Sequence, residues 1–135
     1  MFAAMLFAIS VVALAQFAAY YWRAMLAGAA AQPVSERVLE AAGVQSGELT
    51  GRDFRTLVGL HRVTPKLSPA TSDGLFSVRL YYRAVDVLGA LASTHLPAVA
   101  AWSKRETAIC ARYAAVQIDR RLQANLELAA ALRSC

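Results

Sequence analysis

The residues best suited to general-base, thiolate and metal-ligand chemistry are few: two histidines, two cysteines and nine carboxylates in 135 residues. Nucleophilic catalysis needs a nucleophile held beside a base. A metal site needs ligands at short spacing, such as two histidines four apart on a helix. Neither pattern occurs. His61 falls seven residues after Phe54 on an apolar stripe, a place for a packed or boundary side chain. His95 stands just before Pro97 and reads as part of a corner. Cys110 lies among Ala108, Ile109 and Ala111 as a small buried hydrophobe, where a thiol is inert. Cys135 sits about 37 Å further along a straight helix, and a disulfide needs Cα atoms within about 7 Å. Glu36 and Glu40 share a face with Arg37 nearby, an ordinary solvated surface. Gly43, Gly47 and Gly51 lack the strand and lysine of a phosphate loop. The expectation is no catalytic residue, no metal and no cofactor, hence no enzyme, unless another chain completes a composite site.

Binding chemistry is better supplied. Net charge is +5, with arginine providing most of the basic residues and no run of five or six like charges. Arg79, Arg83, Arg105, Arg112, Arg120 and Arg121 are candidates for an anionic surface, lipid or nucleic acid, against the plainer reading of a solvated basic face. Tyr81, Tyr82, Trp102 and Tyr113 are candidates for a protein partner, because aromatic side chains dominate interface energetics. The competing reading places those four in the helical core.

The elements that must position these residues begin with an anchor. No charged side chain occurs before Arg23, which follows Tyr20, Tyr21 and Trp22. A hydrocarbon core roughly 30 Å thick is crossed by about 20 apolar helical residues. Residues 2–21 supply that length, interrupted only by Ser10 and Gln16. Aromatic rings followed by an arginine suit the headgroup boundary, so Tyr20, Tyr21, Trp22 and Arg23 are the expected membrane-interface residues. A cleaved signal and a helix buried in a soluble core or against a partner are the two alternatives. The first lacks a basic leader and runs on past Ala13-Leu14-Ala15; the second needs more core than the chain can build. Arg23 and Arg37 after the apolar stretch place the remainder on the cytoplasmic side. Ala4 with Ala8 and Ala15 with Ala19 are spaced for close approach of a second helix.

The spacing predicts an all-α protein: a single transmembrane helix over 1–23, a linker over 24–32 and a helical domain over 33–135 with a hinge at 63–74. Pro33 opens a short helix with Val34, Val38, Ala41 and Ala42 on one face, and Gly43 stops it. Thr50 and Asp53 stand at capping-box spacing before a stripe of Phe54, Leu57, Val58 and His61, which Pro65 ends. Residues 75–93 carry two apolar rows, Val78-Tyr82-Val85-Leu88 and Phe76-Leu80-Val87-Leu91, and a polar strip where Arg83 can pair with Asp86. A long helix from Pro97 completes an antiparallel helical hairpin, with Arg105, Arg112, Asp119, Gln123 and Glu127 on its polar side.

Residues 48–58, Glu-Leu-Thr-Gly-Arg-Asp-Phe-Arg-Thr-Leu-Val, resemble the opening helix of winged-helix regulators. That resemblance implies DNA binding, with Arg52, Arg55 and Arg62 on phosphates. The recognition helix and β-wing of that family do not follow in the sequence, so nucleic acid is disfavoured as a partner. The favoured expectation is a membrane-anchored helical interaction or accessory protein. Its partners would be membrane lipid and either another membrane-associated protein or a second copy, as in a small subunit of a larger complex. The alternative is a membrane-proximal basic module for anionic lipid or nucleic acid.

Overall fold

The computed structural model describes residues 2–44, 49–65 and 74–134, and every regular element among them is helical: α1 (Phe2–Ala30), α2 (Glu36–Ala41), α3 (Asp53–Val63), α4 (Leu75–Ala92) and α5 (Pro97–Arg133). Residues 45–48, most of the expected hinge (66–73) and Cys135 lie outside the described residues.

α5 is the spine. The backbones of α1, α2, α3 and α4 each approach α5. Its sequence explains why it can serve four neighbours. Cys110, Ala111, Ala114 and Ala115 are fully buried and small, so backbones come close on several sides. Residues 113–116 are all buried, so at that turn α5 is covered on most of its circumference. Two glycines mark tight crossings. A Cβ on Gly89 would lie 2.1 Å from Ser103 Oγ, and one on Gly51 would lie 2.6 Å from Thr107 Oγ1. The core around this spine takes Leu26 from α1, Val38 from α2, Phe54 and Leu57 from α3, and Leu75, Val78 and Tyr82 from α4.

Contacts along the spine fix directions. On α4, Gly89 and Val85 meet Ser103, Tyr81 meets Glu106 and Gly74 meets Tyr113, so α4 runs opposite to α5. Arg23 meets Glu106 while Gln32 meets Arg120, so α1 runs the same way as α5.

α1 departs most from the sequence expectation. Residues 24–30, expected as a linker, continue the helix, and Leu26 and Ala30 are buried in the core. A single glycine in a helix costs only about 1 kcal/mol relative to alanine, and the burial of Leu26 outweighs that cost at Gly28. The α1 side chains described before Trp22 are exposed, and the most apolar stretch of α1 has none of its residues buried. By length and composition α1 is long and apolar enough to cross a membrane.

The shorter helices follow their signals. Gly43, at φ +73°, closes α2 with the two reversed bonds of a Schellman turn, Gly43 N–H to Glu40 O at 2.9 Å and Val44 N–H to Leu39 O at 3.0 Å. Pro33 lies ahead of α2, which begins three residues later. Asp53 Oδ2 accepts from both the N–H and the hydroxyl of Thr50, each at 2.8 Å, while Asp53 N–H donates to Thr50 O at 3.1 Å, so the capping-box spacing forms one of its two reciprocal bonds. α3 ends at Val63, before the extended Thr64 that precedes Pro65. On α4 only one apolar row is covered: Val78, Tyr82 and Val85 are buried, while Phe76, Leu80, Val87 and Leu91 face outward.

Candidate functional site

Two features of the assembled helices carry chemistry: a polar seam that fastens α1 to α5, and a basic groove between α3 and α4.

The seam centres on Glu106, which is 2% exposed. Arg23 Nη2 lies 2.7 Å from its Oε1, and Tyr81 donates its hydroxyl to Oε2 at 3.0 Å. A buried carboxylate is tolerated only when paired and hydrogen-bonded, and both oxygens here are engaged. Burial, then the Glu106 charge it faces, pushes the Tyr81 hydroxyl well above its ordinary pKa. Further along, Ser35 donates to Asp119, Gln123 donates to the same carboxylate at 3.1 Å, and Arg120 donates to Gln32 at 2.6 Å. Asp119 is therefore a buried anchor point rather than part of the exposed polar side expected of it. In the sequence Glu106 follows Arg105 as one more charged residue of the long helix. Its role was hidden because its partner lies 83 residues earlier, on a helix expected to stand apart.

The seam also draws in two of the four expected membrane-interface residues. Tyr20 and Tyr21 are exposed as expected. Trp22 is half-buried against the core, its indole Nε1 enclosed without a partner, and Arg23, 52% exposed, directs its guanidinium to Glu106.

The groove is open, with a volume of about 810 Å³. Phe54, Val58, Phe76, Leu80, Tyr82 and Val87 give it an apolar lining. Arg55, Arg62, Arg79 and Arg83 add four guanidinium groups against one carboxylate, Asp86. Asp86 faces Arg55 across the groove at 3.8 Å instead of the in-helix Arg83. Phe54 and Tyr82 stack with ring centroids 4.2 Å apart, and Tyr82 donates to Gly51 O at 2.8 Å. Burial, then the nearby Asp86 charge, raises the Tyr82 hydroxyl's pKa. An amphipathic, cation-rimmed groove suits a ligand with an apolar stripe and anionic groups along its edges.

The expected site residues divide accordingly. Arg79 and Arg83 come together on the groove; Arg105, Arg112 and Arg120 are exposed along α5. Arg121 is not available to an external anion. It is 7% exposed, its Nη1 is 3.1 Å from His61 Nε2 and donates to His61 O at 3.2 Å, and its Nε is enclosed without a partner. His61 thus serves the interior. Tyr82 and Tyr113 are core residues, which removes them from the expected partner surface, whereas Tyr81 and Trp102 are half-buried. Cys110 is fully buried; burial, then the Glu106 charge, pushes its thiol up to about 12. Among the described residues no group of three or more His, Cys, Asp or Glu could hold a metal ion.

Family models, curated proteins and solved structures yield no match to this chain. Its function is read from its own geometry.

Proposed function

We propose that this chain is a single-pass, membrane-anchored helical interaction protein without catalytic activity of its own. Residues 2–21 of α1 cross the bilayer. The domain packed on α5 stands at the cytoplasmic face and offers the α3–α4 groove to an acidic amphipathic segment of a membrane-associated partner, as an accessory subunit would. The observation that carries this reading is the division of α1. Its apolar stretch is left uncovered by its own domain, while Leu26, Ala30 and the Arg23–Glu106 pair bind its last turns to α5. Apolar surface on that scale needs lipid or protein to cover it.

The test is alkaline extraction of native membranes followed by solubilisation in mild detergent. Retention in the membrane pellet, then recovery of a defined complex whose formation is weakened by Arg79→Glu with Arg83→Glu, is expected. Full-length chain dispersed without detergent, or a clean monomer unaffected by the groove substitutions, would refute the reading.

A second reading rests on the exposed guanidinium groups of the groove together with Arg105 and Arg112. These would bind anionic lipid or nucleic acid close to the membrane. Protein held in zwitterionic nanodiscs would then capture anionic vesicles or DNA, with affinity falling steeply as salt rises.

A further inference from the structure

A second part of the chain shares the uncharged character of residues 1–22. Residues 87–103, the last turns of α4, the corner and the first turns of α5, contain no Asp, Glu, Lys or Arg. The leucines of this segment face outward: Leu88, Leu91 and Leu96 are 51%, 72% and 57% exposed.

Its position relative to α1 follows from the contacts between α1, its exit and α5. α1 runs in the same direction as α5, with Arg23 beside Glu106, so the free apolar part of α1 projects from the end of the domain that carries the corner. Pro97 stands about 14 Å beyond Glu106 along α5 at 1.5 Å per residue, and residues 2–22 extend about 32 Å beyond Arg23 in the same sense. The first charges at the border of this uncharged end are Arg23, Asp86, Lys104 and Arg105. Tyr20, Tyr21 and Trp102 lie just inside that border, in the order that a membrane interface selects.

From this juxtaposition we propose that the α4–α5 corner is a second membrane contact, seated in the headgroup and upper acyl region of the bilayer that α1 crosses, with Leu88, Leu91 and Leu96 as its lipid-facing side chains. The proposal rests on the membrane-anchored reading. The corner is shallow, not a second crossing. Its tip carries Ser93, Thr94 and His95, and an interfacial element sinks only about 5–10 Å. The turn meets its own polar needs at that depth: His95 and Leu96 N–H donate to Ala92 O at 3.2 and 2.8 Å, and Ser93 Oγ donates to Ala90 O at 2.7 Å. Two contacts hold the domain at a fixed tilt and keep the α3–α4 groove from rotating freely about α1.

Nitroxide accessibility in proteoliposomes of zwitterionic lipid tests this directly. Labels at Leu91→Cys and Leu96→Cys are compared with Phe7→Cys on the anchor and Arg112→Cys on the exposed face of α5, all in a Cys135→Ser background. Each of the four sites is exposed, so labelling leaves the core intact. The expected result is that both corner labels, like the Phe7 label, collide more with oxygen than with a water-soluble nickel complex, and that the Arg112 label does the reverse. If the Phe7 label is lipid-exposed and the corner labels favour nickel, the corner contact is overturned and the anchor stands. If the corner labels are shielded from both reagents, a protein covers the corner and the lipid contact is again overturned. If the Phe7 label favours nickel, the anchor and the corner contact fall together.

Discussion

Arg23→Met is the most informative single perturbation of this fold. It removes the partner at 2.7 Å from a carboxylate that is 2% exposed, leaving Glu106 with only the Tyr81 hydroxyl. Stripping one member from a fully buried ion pair costs about 3–5 kcal/mol. Arg23 is itself half exposed, so water replaces part of its interaction, and a loss of about 2 kcal/mol is expected. For a helical domain of this size that corresponds to a fall in Tm of roughly 8–16 °C. The double variant Arg23→Met with Glu106→Leu removes both charges and should return to within about 1 kcal/mol of the native protein, because well-packed apolar residues replace a buried pair at little cost. Thermal unfolding of full-length protein in detergent micelles, followed by circular dichroism, measures all four corners of the cycle. The reasoning fails if Arg23→Met melts with the native protein, or if the double variant melts as low as the worse single one.

Gly89→Ala should destabilise by about 2 kcal/mol although alanine is the better helix former, because its Cβ would fall 2.7 Å from Ser103 Cβ, whereas Gly59→Ala, with open space around it, should gain about 0.5–1 kcal/mol; paired melting curves check both. Alkali should unfold the domain. Cys110 and Tyr81 hold their protons more tightly folded than unfolded, so the stability they contribute is complete below their ordinary pKa values and is lost as pH rises through about 9–12. Cys110→Ala should flatten the lower part of that pH dependence in urea titrations, and an unchanged slope would contradict the assignment. Asp53→Ala, which removes the acceptor for Thr50, should cost about 1 kcal/mol and fray the start of α3, visible as faster amide exchange at its first turn.

Local signals in the sequence located α3, α4 and the start of α5 well, because each rests on neighbouring residues: a cap at Thr50 and Asp53, a stop at Pro65, a proline start at Pro97. Gly43 was legible for the same reason. The docking of α1 was not. Residues 24–32 are small and look like a link, and only the distant Glu106 and the crowded faces of α5 make Leu26 and Ala30 worth burying. The site shows the same division. Arg79 and Arg83 could be picked out by exposure along one helix, but their assembly with Arg55 and Arg62 into one groove depends on how α3 and α4 lie across α5. Arg121 and Asp119 looked like surface residues because helical periodicity assumes a single covered face, and α5 has several.

The dependence of every other helix on α5 also sets the order in which this molecule can be made. α5 follows the other four in the chain, and the bonds that fasten α1 and its exit to it span 84 and 88 residues. During synthesis, α1 leaves the ribosome long before its docking surface exists, so Arg23, Leu26 and Ala30 lack their places on α5 throughout that interval. Folding of the domain is deferred until α5 emerges, and a ribosome that stops short of it releases four helices with nothing to assemble upon.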